Sequence, residues 1–245
     1  RVLRIEEQLY GCEELPEGQP VLCDVLLEAA DGTQRVLPYP DAELTRLDIN
    51  EGSTVTLRDH RLTKAAHKVY FTRHGETVWN VENKICGMTD SPLTEKGRAQ
   101  ARELGEKLRT SGLRIDEILY SPLSRAADTA RAIAEATGIP ARCEPRLREQ
   151  CFGRYEGTPR DGEEFRISKT HFADRYSGGE SMMQLAQRIY NLLDELRADT
   201  DKTYLLVAHN GIARVVQSYF YDMTNEEYAA AGIKNCEFVE FTFNK

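Results

Sequence analysis

Val69-Tyr70-Phe71-Thr72-Arg73-His74-Gly75-Glu76-Thr77 is the stretch on which the fold turns. An aromatic and β-branched run stops at an Arg-His pair and then a glycine. That is the pattern of a buried strand handing side chains to a loop at its C-terminal end. In open α/β sheets, ligands bind at such ends. Far along the chain, Tyr204-Leu205-Leu206-Val207-Ala208 is a second apolar strand candidate, and it ends in His209-Asn210-Gly211. The chain has five histidines, and His74 and His209 occupy these two strand ends. One such histidine would read as an ordinary hydrogen-bonded structural residue. Two of them, joined by Arg73 and by Arg125 after a third strand candidate, point to one shared site.

Working outward, the pattern after residue 68 is strand, helix, strand, helix. It predicts a mostly parallel sheet covered by helices on both faces, a three-layer α/β/α architecture. Thr94 is placed to cap a helix with Ala101, Leu104 and Leu108 facing inward. Residues 115–120 read as a strand. Residues 124–137 read as a helix with Ala127, Ala130, Ile133 and Ala134 inward and Gly138 as its stop. A longer helix spans 181–198, with Leu185, Ile189, Leu192 and Leu196 on one face, and about ten helical residues follow Gly211. Thr224-Asn225-Glu226-Glu227 opens a short last helix, and 237–243 alternates like an edge strand.

Residues 1–60 are different. The runs 2–10, 20–29, 35–39 and 53–57 read as short strands, with Asp31-Gly32 as a hairpin turn and one or two helical turns over 41–47. They predict a small β-rich domain, a twisted sheet or partly closed barrel. The basic stretch 61–68 reads as a linker, with His60 and His67 solvated, and the second domain is expected over 69–245.

A length of 245 residues holds one large or two smaller domains, and 40% hydrophobic with 29% charged residues is ordinary for a globular protein. The net charge of −8 argues against a nucleic-acid surface. Residues 1–67 carry seven Lys/Arg and thirteen Asp/Glu, and the remainder carry twenty-five and twenty-seven. An anionic substrate must therefore be attracted by a local cluster. No apolar run is long enough for a membrane span, so no membrane partner is expected. The chain does not open on Met or on an apolar leader, so it is expected to start inside a longer product or after processing. The six cysteines form no CxxC pair and have no metal-ligand spacing with histidine, which favours a cytoplasmic location. Cys86 and Cys151 fall inside motifs and are candidates for oxidation.

Arg73, His74, Ser121 with Arg125, and His209 collect at the predicted strand ends. Two guanidinium forks and two imidazoles suit a tetrahedral dianion. Backbone amides at Gly75 and Gly211 would add to the anion hole. A metal is the competing reading, but flanking arginines repel a cation, so no metal and no cofactor is expected. An imidazole in a phosphate pocket can be the nucleophile, with the arginines and a protonated second imidazole balancing charge. A carboxylic acid must then protonate the departing alcohol.

The motifs resemble those of the histidine phosphatase superfamily, the phosphoglycerate mutase-like proteins. The resemblance rests on Arg73-His74-Gly75-Glu76-Thr77 with Trp79-Asn80, on the run from Gly87 through Ser91-Pro92-Leu93-Thr94 to Gly97, and on Ser121-Pro122-Leu123-Ser124-Arg125-Ala126. Leu147-Arg148-Glu149, Phe152-Gly153-Arg154-Tyr155-Glu156-Gly157, Gly179-Glu180-Ser181 and Ala208-His209-Asn210-Gly211 follow in the family's order. The resemblance covers residues 69–245 and implies His74 as the phosphorylated nucleophile. Arg73, Arg125 and His209 would hold the phosphoryl group, Asn80 would be a further donor, and Glu149 the general acid. Asn210 stands where the family usually has glycine, and would replace a backbone contact with a side-chain donor. Glu76 and Glu156 are expected to brace loops and Trp79 to pack. Glu149 lies among Arg146, Arg148 and Arg154, where a surface ion pair is the plainer alternative. Nothing in residues 1–60 resembles the family.

The expected function is hydrolysis of a small phosphorylated metabolite. A phosphoglycerate mutase-type transfer is the alternative, and a non-catalytic phosphate-binding module the second. Only about twenty residues separate Gly157 from Gly178, a short connection that favours a pocket open to water. Specificity is expected in 158–178, which holds Arg160, Arg166, Lys169, His171, Arg175, Phe165, Phe172 and Tyr176. The N-terminal domain is expected to be a packing or dimerisation unit, and a homo-oligomer stays open.

Overall fold

Alternating burial organises the first of two units in the computed structural model, which describes residues 1–8, 19–29 and 31–243. Cys23, Val25 and Leu27 point to one face of strand β2 (Leu22–Glu28), as period-two geometry requires. β2 pairs antiparallel with β1 (Val2–Glu7) on one side and β3 (Gln34–Pro40) on the other. Leu44, from helix α1 (Asp41–Leu47), joins that core. The expected strand over 2–10 thus ends at Glu7, and residues 9 and 10, like Cys12, lie outside the described residues.

A separate hairpin joins β4 (Val55–Arg58) to β5 (Arg61–Lys64) through Asp59 and His60, both at positive φ. Residues 61–64, expected as linker, are therefore paired strand. Leu62 is buried in the same core, and its N–H donates to the Tyr39 hydroxyl at 3.1 Å. The basic residues around Leu62 hid a two-residue alternation. The first unit runs Arg1–Ala66 and the second His67–Lys245. His60 is exposed as expected, and His67 is partly buried, its ring 4.9 Å from that of Phe243.

The second unit is built on a sheet of β10 (Phe238–Thr242), β6 (Lys68–Arg73), β9 (Tyr204–Ala208), β7 (Glu117–Tyr120) and β8 (Ala141–Cys143), in that spatial order. β6, β9, β7 and β8 are parallel, and β10 closes one edge antiparallel. Alternate residues serve opposite faces. Val69, Phe71, Leu119, Leu206 and Ala208 pack under α6 (Met182–Ala198) and α7 (Asn210–Phe220). Tyr70, Ile118, Leu205 and Val207 pack under α3 (Glu95–Thr110) and α4 (Ser124–Thr137). Each fully buried Leu, Ile, Val or Phe contributes about 1.5–3 kcal/mol, so the two layers hold the strand ends firmly.

Local signals set the helix ends. The Thr94 hydroxyl accepts from Gly97 N–H at 3.0 Å, and Ser181 and Gln184 form a reciprocal capping box on α6. Thr224 and Glu227 do the same for α8 (Asn225–Ala230). Among the described residues, the further short helical segments are α2 (Val78–Val81), α5 (Glu163–Ser168) and 3-10 turns at Pro145–Leu147 and Gly153–Tyr155. On α4 the buried face is Arg125, Ala126, Thr129, Ala130 and Ile133, whereas the expected Ala127 and Ala134 lie at its margin. The stripe is rotated because the helix turns Arg125 inward. Among the described residues, no helix is long and apolar enough to cross a membrane.

Candidate active site

Three neighbouring strands end at one level. Arg73 on β6 pairs in register with Ala208 on β9, and Val207 with Tyr120 on β7. The next backbone amides continue the ladder, from His74 to Ala208 O at 3.0 Å and from Ser121 to Val207 O at 3.1 Å. The His74 and His209 rings therefore meet, with centroids 5.1 Å apart. Arg73, His74, Asn80, Arg125, Glu149 and Asn210 all line one cavity of about 160 Å³, while His209 is fully buried beside His74.

His74 Nδ1 lies 2.7 Å from the Gly75 carbonyl. A carbonyl only accepts, so the proton sits on Nδ1 and the lone pair on Nε2. Burial first, then the Arg125 and Arg73 guanidiniums, hold the ring neutral well below the ordinary histidine range. His209 is held down in the same way, by burial and then by Arg125 and His74. The second imidazole, expected from sequence to be protonated, is thus pushed toward its neutral form. His209 Nε2 lies 2.7 Å from the Ser121 hydroxyl. His209 Nδ1, Arg73 Nε and Arg125 Nε are buried without a hydrogen-bond partner among the described residues. Buried donors left unpaired are costly, and an anion satisfies them.

The surrounding bonds fix each group. Arg73 Nη1 donates to Ile233 O at 3.0 Å, and burial pushes its pKa down to about 10. Arg125 donates to Gly87 O at 2.7 Å and Thr89 O at 3.0 Å and pairs with Asp90 at 3.3 Å. The 86–90 loop that receives it is braced by Glu156, which accepts from Met88 N–H and Thr89 N–H. Gly87 has φ +56°, and a Cβ there would lie 2.2 Å from Glu156 Oε1. Asn80 Oδ1 accepts from Thr77 N–H and from Asn235 Nδ2, which leaves its own amide nitrogen as a donor toward the cavity. Glu76 accepts from Thr94 and Lys96 and braces the start of α3.

Glu149 is not a surface ion pair. Arg146 is engaged by Glu144 and Glu195, and Arg154 by Glu164. The Glu149 carboxylate is buried and accepts from Gln150 N–H at 2.9 Å and from Gly211 N–H, in the first turn of α7, at 3.1 Å. Asn210 lines the cavity, but its Oδ1 accepts from Ile233 N–H at 2.9 Å. It thereby ties α7 to the segment whose carbonyl holds Arg73. Beside Arg73 and Arg125, Arg160, Lys169 and Arg214 add three cations to the cavity wall. Phe165 lines the cavity too, and with Tyr176, Ile85 and Tyr155 it forms a small buried cluster.

The sequence profile of the histidine phosphatase superfamily (branch 1) matches residues 69–245. The chain belongs to that superfamily. A probable phosphoglycerate mutase GpmB from Enterobacter sp. (strain 638) is 43% identical over 154 residues, 60% of this chain and 70% of the relative. Its counterpart from Yersinia pestis (strain Pestoides F) is 34% identical over 177 residues, covering 69% and 81%. Among solved structures, a mycobacterial glucosyl-3-phosphoglycerate phosphatase superposes with a TM-score of 0.62 at 29% identity, covering 72% of this chain and 90% of that one. Residues 1–68 lie outside the superfamily match.

Three supporting residues of this histidine phosphatase domain escaped the sequence. Asn235 donates to His74 O at 2.8 Å and to Asn80 Oδ1 at 3.3 Å from a segment with no motif around it. Arg188 pairs with Glu180 through two short bonds and donates to the carbonyls of Arg146 and Glu149, so it holds the backbone at Glu149. It sits one helical repeat past Ser181, where polar side chains on the buried margin of an otherwise apolar stripe were the available signal. Arg214 lies on α7, five residues beyond His209, and its charge was lost within a helix read for its apolar face.

Proposed function

We propose that the protein hydrolyses phosphomonoesters through a phosphohistidine on Nε2 of His74. The observation that carries this is the pinned Nδ1 proton of His74, which leaves an unprotonated Nε2 in a cavity rimmed by arginines. The Nε2 lone pair attacks phosphorus and the ester P–O bond breaks. Glu149 gives its proton to the departing oxygen. Water then attacks the phosphohistidine, Glu149 takes the water proton, and the P–N bond breaks to release phosphate. Arg73 and Arg125 offset charge on the equatorial oxygens throughout. With the Ser121 hydroxyl donating to His209 Nε2, the second imidazole keeps its proton on Nδ1 and adds a third donor.

Brief exposure to a phosphorus-labelled ester, followed by quenching in base, tests the step. Label is expected on His74 and absent from the His74→Ala variant, whose turnover falls to background. Near-normal turnover by that variant would overturn the mechanism.

The second reading is a phosphoglycerate mutase, favoured by the names of the curated relatives. It shares the phosphohistidine and differs only in the acceptor. Phosphoglycerate as substrate separates the two: hydrolysis yields inorganic phosphate, and transfer yields the positional isomer with no phosphate released.

A further inference from the structure

The segment 231–236 runs between α8 and β10 outside any helix or strand, and it holds Arg73 at both ends. The Cys236 N–H donates to the Arg73 main-chain carbonyl at 2.9 Å, and the Ile233 carbonyl accepts from Arg73 Nη1 at 3.0 Å. Arg73 Nε has no hydrogen-bond partner among the described residues. The Ile233 carbonyl therefore sets the direction in which the guanidinium points.

The Ile233 peptide is itself fixed by Asn210. Its N–H donates to Asn210 Oδ1 at 2.9 Å. A main-chain N–H only donates, so the oxygen of the Asn210 amide must be the atom that faces it. Ile233 is 4% exposed, so without that oxygen a buried N–H would lose its partner, which is costly. The peptides on either side are engaged elsewhere: Lys234 N–H donates to Glu237 at 2.7 Å, and Ala231 O accepts from Arg214 at 2.7 Å. A Cβ at Gly232 would lie 3.1 Å from Asn210 Oδ1 and 3.3 Å from its Nδ2, so the amide packs directly on this backbone. Asn210 is the first residue of α7 and follows His209. A chain of two hydrogen bonds thus runs from the end of β9, through one peptide, to the guanidinium at the end of β6.

We propose that Asn210 is a positioning residue for Arg73, acting through the Ile233 peptide and not by touching the phosphoryl group. Glycine, the usual residue of the family at this place, has no side-chain oxygen, so this relay belongs to the present chain. The proposal rests on Arg73 holding the phosphoryl group, as in the phosphohydrolase reading, but its first test needs no turnover.

Inorganic phosphate is the probe, with binding to the full chain read by calorimetry. Asn210→Ala places a good helix former in the first turn of α7. It is expected to weaken phosphate binding by about tenfold, the scale of one hydrogen bond to a charged group. In an Arg73→Gln background the same change is expected to cost less than about twofold, because the guanidinium that it positions is gone. Equal factors in the two backgrounds would show that Asn210 meets the anion itself, and the relay would fall. Amide hydrogen exchange gives a reading that does not depend on the double variant. The Ile233 N–H is expected to exchange slowly in the wild type and in Asn210→Asp, which keeps an acceptor oxygen without an amide donor, and much faster in Asn210→Ala. An Ile233 N–H equally protected in Asn210→Ala would overturn the proposal. Steady-state kinetics on an aryl phosphate should show the same non-additivity in kcat/KM, and additive losses there would also overturn it. If phosphate binding shows the coupling and no ester is cleaved, the relay stands and the hydrolase reading falls.

Discussion

Glu149 tests the division of labour in the pocket. Its carboxylate is held by the N–H groups of Gln150 and Gly211, so the residue sits where the backbone puts it. Glu149→Gln keeps the shape and loses the transferable proton. It is expected to slow alkyl phosphates by about 10²–10⁴-fold, the usual worth of general acid catalysis. Aryl phosphates, whose leaving groups need no proton, should lose far less. Equal losses on both would remove Glu149 from the acid role. The two histidines carry a prediction of opposite sign to ordinary imidazole behaviour. Burial and neighbouring arginines depress both pKa values, so the neutral rings are expected to persist as pH falls through about 6.5, where a free imidazole is half protonated. Ring-nitrogen NMR should show His74 keeping the Nδ1–H pattern there, and the pattern should be lost only at lower pH. An imidazolium signature at or above that value would contradict the desolvated pocket.

Elements place these residues, and they differ in how far a sequence betrays them. α6 was legible to one residue, because Ser181 and Gln184 form its capping box and leucines and an isoleucine fill one face. The ends of β6 and β9 were legible because continuous apolar runs stop at charged or imidazole side chains. β8 was not, since Ala141-Arg142-Cys143 is short, exposed and without alternation, and only pairing with β7 makes it a strand. β5 was masked by its basic residues. In the site, the groups that face the phosphoryl pocket stand in contiguous motifs and could be read. Asn235, Arg188 and Arg214 depend on tertiary approach, which no local pattern encodes. The contact between α7 and the acid is one such approach. A Cβ at residue 211 would lie 2.4 Å from Glu149 Oε1, so only glycine lets the carboxylate reach the Gly211 N–H. Gly211→Ala is expected to displace Glu149 and to reproduce the leaving-group signature of Glu149→Gln. A variant that folds, binds substrate and cleaves alkyl and aryl esters in the normal ratio would show that Glu149 does not depend on this contact.

At the scale of the whole molecule, the chain divides into a unit of residues Arg1–Ala66 and one of His67–Lys245, each with its own buried core. The superfamily match begins at residue 69, and His74, Arg73, Arg125, Glu149 and His209 all lie beyond it. The cations Arg160, Lys169 and Arg214 lie there too. The second unit also keeps its own N-terminal anchor, because the His67 carbonyl accepts from Phe243 N–H at 2.8 Å and its ring packs on Phe243. A chain beginning at His67 therefore retains every group in the proposed mechanism. It is expected to hydrolyse an aryl phosphate within about tenfold of the full chain, a transition-state difference of roughly 1.4 kcal/mol. Steady-state kinetics on the two chains, with circular dichroism and thermal melting to establish folding, decides the matter. A folded chain from His67 that has lost activity on every ester would show that residues 1–66 complete the active site, and the division of labour between the units would have to be abandoned.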